Sequence, residues 1–140
     1  MWNVYRLSIS SIQFQSTMSW CEFAASRSTG LRVYAGAHIL IRFLTSPIGL
    51  ELLDNASLVE RGCGTGAVGS VAAVTANVKQ VVVTDGDPRA CELAKLNINH
   101  LVHERKPLLP ATAMQMYWGN DPVPQAFDIG IGCELMYYKT

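Results

Sequence analysis

Residues 59–66, Val-Glu-Arg-Gly-Cys-Gly-Thr-Gly, set the carboxylate of Glu60 beside glycines at every second position, Gly62, Gly64 and Gly66. Glycine lets a backbone turn tightly and approach a ligand closely. A short apolar run precedes this loop and small apolar residues follow it. It therefore joins a strand to a helix, whose first N–H groups point at whatever binds there. Further on, Asp85 closes a second, β-branched run, Gln-Val-Val-Val-Thr. An acid in that place commonly accepts hydrogen bonds from ribose hydroxyls.

Two ligand classes fit such a turn. Gly64-Thr65-Gly66-Ala67-Val68-Gly69 has the GxGxxG spacing of a dinucleotide fingerprint. Its first glycine, however, lies four residues past Glu60 instead of directly at the strand end. Glu60 also puts negative charge where a pyrophosphate prefers positive. A carboxylate suits a ligand with an ammonium and a sulfonium, the charge pattern of S-adenosyl-L-methionine. Opposite unit charges ~4 Å apart attract by about 4 kcal/mol at an effective dielectric near 20, before desolvation. The sign of the charge separates the two cofactors better than the glycines do. A glycine-rich turn without a ligand is the third reading.

The elements that must position these residues alternate. Residues 4–14 read as a short strand or hairpin. Residues 31–45 carry Ala37, Leu40, Ile41 and Leu44 at helical spacing, Pro47 ends that helix, and residues 48–53 add a further turn. Ser57–Arg61 is a strand, 65–77 a helix of small residues, and 80–84 a strand apolar enough to be buried on both faces. Asp87 and Pro88 open a helix that runs to about Leu101. Strands follow at 111–118 and 127–133. This succession predicts an α/β fold with a parallel sheet.

Four stretches in this order, ERGCGTG, VVVTDGDPRA, YWGN and FDIGIGCELMYY, resemble the seven-strand (class I) S-adenosylmethionine-dependent methyltransferases, and more narrowly methyltransferase family 16, which contains many protein-lysine methyltransferases. Residues 30–37 resemble that family's G-x-x-x-W-x-x-A segment, with Tyr34 in place of Trp. The resemblance covers residues 29–140, leaving 1–28 as an N-terminal extended segment. It implies a Rossmann-like sheet of strand order 3-2-1-4-5-7-6, of which these residues supply 3-2-1-4. It implies that Glu60, Gly62, Gly64 and Gly66 line the methionine part of the cofactor and that Asp85 binds its ribose. Trp118 would lie beside the adenine, and Cys63 and Gly86 count among the cofactor-binding residues. Glu134-Leu135-Met136-Tyr137 resembles the family's acid-x-x-Tyr motif. Glu134 would orient the acceptor amine, and Tyr137 would meet the cationic methyl or the lysine through its ring face. Transfer would be an in-line displacement onto a lysine amine whose pKa, ordinarily about 10.4, falls on desolvation. No metal or covalent intermediate is needed.

Composition narrows the partners. The chain has 140 residues, 49% hydrophobic and 16% charged, so it collapses into a core. Eleven basic and eleven acidic side chains cancel, so no basic field invites nucleic acid. No apolar run is long enough to span a membrane. The cysteines, 21, 63, 91 and 133, form no CxxC pair and read as buried thiols in a reducing compartment. Cys63 reads as a space-filler. His100 and His103 read as surface residues, not ligands. The expected compartment is cytoplasmic, with nuclear or mitochondrial as alternatives. Residues 1–21 hold no acid and several serines, a faint transit-peptide pattern.

Two departures from the family pattern carry expectations of their own. Arg61 stands where the family has Leu or Ile on a central strand; it is expected to be buried and to pair with Glu60 or Asp85, or else to snorkel to the surface. The sequence stops at Thr140, after the fourth strand. The resemblance then implies a C-terminally truncated domain without its substrate half and with an open fourth strand prone to self-association. A protein lysine is the expected substrate. The rival readings are a non-catalytic interaction module derived from a methyltransferase and an NAD-binding oxidoreductase fragment.

Overall fold

The computed structural model describes residues 3–6, 13–16 and 30–136. Strands β1 (Asn3–Arg6) and β2 (Gln13–Ser16) pair antiparallel, as a hairpin. Helices α1 (Ala35–Leu44) and α2 (Pro47–Leu53) lead into β3 (Ser57–Arg61), α3 (Ala67–Thr75), β4 (Gln80–Asp85), α4 (Pro88–Ile98), β5 (Ala111–Gln115) and β6 (Ile129–Gly132). The last four strands form one parallel sheet in the order β5-β4-β3-β6. This is the expected 3-2-1-4 arrangement of a Rossmann-like methyltransferase sheet, with the strand before the glycine loop at its centre.

Register decides which side chains meet the helices. Leu58 stands level with Val81 and Ile129, and Val81 with Ala111. These residues and their neighbours two along, Val83 and Ala113, enter one core with Val68, Val71 and Ala72 of α3 and Ala94 and Ile98 of α4. The alternate residues Val59, Val82, Thr112 and Met114 lie on the other face and outside that core. Seven of the nine residues of α3 are buried, which its small side chains permit. α1 and α2 meet at a 78° bend and bury Ile41, Leu44 and Leu53. No single helix among the described residues is long and apolar enough to cross a membrane.

Element ends differ from the expected ones for local reasons. Gly66 takes a left-handed backbone (φ 72°), so α3 starts at Ala67 and not at Thr65. Pro47 does more than end α1: it is the first residue of α2, with the Ser46 side chain accepting from the Gly49 N–H at 3.2 Å. β5 stops at Gln115 because the Tyr117 N–H turns aside to the Asp121 carboxylate at 2.7 Å. α4 continues into a π-helical turn over Asn99–His103. Lys106, beyond it, reaches back to the carbonyls of Ala73 and Ala76 and caps the end of α3.

Of the two placements expected for Arg61, the structure corrects the buried pair and keeps the surface one. It is exposed, and no ion pair joins it to Glu60 or Asp85 among the described residues. Alternation along β3 turns Glu60 toward α3 and Arg61 to the opposite face, at the strand end, where water reaches it.

Candidate functional site

The carboxyl ends of all four parallel strands open on one edge of the sheet, where α/β folds bind ligands. A cavity of about 750 Å³ lies there, within the usual range for small-molecule sites. Its wall comprises the glycine loop, the end of β4 (Asp85, Gly86, Asp87), the end of β5 (Met116, Tyr117, Trp118) and the end of β6 (Cys133, Glu134, Leu135). The segment leading into α1 closes it with Gly30, Arg32, Val33 and Tyr34, joined by Ala37 of the first helical turn.

Hydrogen bonds hold the glycine loop in place. The Cys63 N–H donates to the Thr84 carbonyl at 2.9 Å, the Gly64 N–H to Asp85 Oδ2 at 2.9 Å, and the Gly66 N–H to the Cys63 carbonyl at 2.8 Å. Asn97, buried on α4, donates to the Thr65 carbonyl at 2.9 Å. Gly62, Gly64 and Gly66 all have positive φ, at 61°, 53° and 72°, a region other residues enter only with strain. Space is as restrictive as angle. A Cβ on Gly62 would stand 2.4 Å from Leu135 Cδ2, and one on Gly64 2.9 Å from the Gly30 carbonyl oxygen.

Glu60 is 2% exposed yet lines the cavity. Its Oε2 accepts the Gly69 N–H at 2.8 Å. Burial raises its pKa from 4.5 to about 8; that hydrogen bond pulls it back down, and the Asp85 carboxylate pushes it up. A cation placed in the cavity would be attracted by the ionised form and would restore it. Asp85 uses Oδ1 for the Asp87 N–H, at 2.9 Å, as well as Oδ2 for Gly64. It thus ties the loop to the end of β4 in addition to facing the cavity. Asp87 caps α4 through the Arg89 N–H and pairs with the Arg89 guanidinium at 3.1 Å.

Trp118, 48% exposed, stands with Cζ2 3.3 Å from the place of a Gly62 Cβ. Tyr117, which the sequence did not single out, lies beside Gly86, and its hydroxyl accepts from Gln115 Nε2 at 2.8 Å. Cys63 is buried, and burial pushes its thiol pKa well up, which disfavours the thiolate. Gly66 packs against Ala94, outside the cavity wall. Glu134 is on the wall, but its Oε1 accepts the Gly36 N–H of α1 at 2.7 Å. Tyr137 lies outside the described residues. His100 bonds Glu104 and His103 bonds Asn99, and no group of metal-ligating side chains occurs among the described residues.

Asn97 was missed too, although its signal was present. Leu93, Ala94 and Ile98 mark the buried stripe of α4, and Asn97 falls inside it. A buried polar residue needs a specific partner.

Residues 14–140 match the profile of the family described as lysine methyltransferase. Saccharomyces cerevisiae protein-lysine N-methyltransferase EFM3 is 28% identical over 131 residues, which is 84% of this chain and 38% of the yeast protein. The chain thus spans under half the length of that relative. Among solved structures, the Trypanosoma brucei PRMT1 enzyme–prozyme complex with AdoHcy superposes with a TM-score of 0.55 at 19% identity, covering 67% of this chain and 27% of that one. A dimethyladenosine transferase from Plasmodium falciparum gives 0.51 at 18% identity, covering 67% and 30%. At such identities the likeness is one of fold.

Proposed function

The chain belongs to the lysine methyltransferase family, and from that premise we propose that it binds S-adenosyl-L-methionine and serves methyl transfer to a protein lysine. The observation that carries this reading is the buried carboxyl of Glu60 on the cavity wall, held by the Gly69 N–H where a cationic ligand would meet it. The cavity fits the cofactor in size and in chemistry. Gly62 and Gly64 bring bare backbone to the wall, Glu60 suits an ammonium, Asp85 suits vicinal hydroxyls, and Trp118 offers an aromatic face. When bound, the cofactor supplies an electrophilic methyl group. The work of this chain's residues is then placement and exclusion of water, which accounts for much of the rate of such a transfer. Glu60 would hold the amino end, Asp85 the ribose and Trp118 the base. Tyr137, by the family resemblance, would contact the acceptor.

A nicotinamide-linked oxidoreductase finds no support in the family or in the carboxyl group that Glu60 sets on the cavity wall. A non-catalytic module built on β6, the outer strand beside β3, is the rival reading. A reducing compartment such as the cytoplasm agrees with the free thiols of Cys63, Cys91 and Cys133. The test is calorimetric titration of S-adenosylhomocysteine into the chain, with NAD as control. Saturable binding of the first alone is expected. Binding of neither by a folded chain would overturn the cofactor reading and leave the interaction module.

A further inference from the structure

The first turn of α1 lacks the usual means of capping. Its N-cap, Tyr34, makes no side-chain cap, and no acid lies in the turn. The acceptor arrives from 98 residues away: Glu134 Oε1 takes the Gly36 N–H at 2.7 Å. A carboxylate at a helix N-terminus is favoured by the helix dipole as well as by the hydrogen bond. Both partners are shaped for this contact. Glu134 holds a left-handed backbone, φ 52°, which non-glycine residues seldom adopt. Gly36 is helical, so its glycine is not needed for its angles. It is needed for room, since a Cβ there would stand 2.7 Å from Glu134 Oε1, 2.8 Å from its Cγ and 3.0 Å from Cys133 Sγ.

The bond joins two walls of the cavity. Cys133, Glu134 and Leu135 line it from the end of β6; Arg32, Val33 and Tyr34 line it from the segment leading into α1, and Ala37 from the first turn of α1. We propose that Glu134 is a positioning residue, which latches that segment over the cavity by capping α1 and so keeps the cavity in its binding shape. This role stands beside the orientation of the acceptor amine that the sequence motif implied, since the bond to Gly36 uses Oε1 alone. The effect on cofactor affinity rests on the function proposed above; the latch itself does not.

Two variants attack the latch from opposite sides. Glu134→Ala removes the acceptor. Gly36→Ala leaves Glu134 intact but drives its flexible carboxylate away, while alanine favours the helix itself. Glu134→Gln keeps an acceptor oxygen and serves as rescue. Two readouts are taken on the full chain: hydrogen exchange of the amide at position 36 without ligand, relative to its own unprotected rate, and affinity for S-adenosylhomocysteine. The expected result is exchange faster by about tenfold or more in both alanine variants. Affinity should weaken about fivefold or more, as the competent fraction falls. Glu134→Gln should return both to within about twofold of the parent. Unchanged Gly36 exchange in Glu134→Ala would overturn the latch. So would a Glu134→Gln variant with parental exchange but affinity as poor as Glu134→Ala, since the charge would then be acting on the ligand directly. If the parent chain fails to bind the ligand while Gly36 exchange responds as expected, the latch stands and the cofactor reading falls.

Discussion

Glu60 Oε2 and the Gly69 amide are 2.8 Å apart, and a Cβ on Gly69 would come just as close to that oxygen. The same missing side chain lets α3 lie on β4, where the added carbon would stand 2.4 Å from Val83 Cγ1. One glycine thus sets both the helix–sheet distance and the hydrogen bond of the buried carboxyl.

Gly69→Ala is therefore expected to destabilise the fold. Overpacking of a tight contact costs roughly 1–3 kcal/mol, and alanine's better helix propensity returns about 1 kcal/mol of that. Denaturant unfolding should show a lower midpoint. A midpoint equal to the parent's would mean that α3 shifts freely on the sheet.

Glu60 makes stability depend on pH. Between its unfolded value of 4.5 and its folded value of about 8, the folded chain holds a proton that the unfolded chain has released. Stability should thus decline as pH rises through that window and level off above it. Binding of a cation runs the other way: it draws Glu60 into its ionised form and releases a proton. Affinity for S-adenosylhomocysteine should rise between about pH 6 and pH 8, with net proton release detected by titration in buffers of different ionisation enthalpy. Glu60→Gln should bind more weakly while being as stable as the parent or more so at pH 8.

Asp85 serves the fold and the ligand together. Asp85→Ala leaves the N–H groups of Gly64 and Asp87 without their acceptor. A loss of about 1–3 kcal/mol in stability is expected, along with loss of detectable ligand binding. Asp85→Asn retains one acceptor oxygen and should recover part of the stability. Equal affinity in all three chains would remove Asp85 from the site.

Asn97→Ala should loosen the loop from behind, because it strips the buried Thr65 carbonyl of its donor. The expected loss is about 1–3 kcal/mol, with faster amide exchange over residues 62–66. Asn97→Asp should be no better, since a carboxylate cannot donate.

The sheet was largely readable from the chain. Val81, Val82 and Val83 announced a buried strand, Asp87 with Pro88 announced a helix start, and both stand where expected. Such signals are local: β-branching, a capping carboxylate and a ring-locked φ act on neighbours a few residues away. The glycine loop was readable for the same reason, as the backbone angles of Gly62, Gly64 and Gly66 demand glycine wherever the rest of the chain goes.

Contacts between elements were not readable in that way. For Arg61 a buried pair and a surface place both stayed open, because the exposure of a strand-end side chain depends on which face carries helices. Asn97 and Thr65 lie on different elements, and only the packing of α4 against the loop makes one the partner of the other. The meeting of Glu134 with Gly36 needs β6 to lie beside β3 and α1 to begin at the same edge of the sheet. The sequence by itself determined the order of the elements, the turn that can hold a cofactor, and the carboxyl group at that turn, because each rests on short-range chemistry. Only the tertiary structure decided that Asp85 clamps the loop, that Gly69 seats Glu60 and that Glu134 caps α1. Those roles arise from distances across 9 to 98 residues of chain, and such distances exist only once the sheet has assembled.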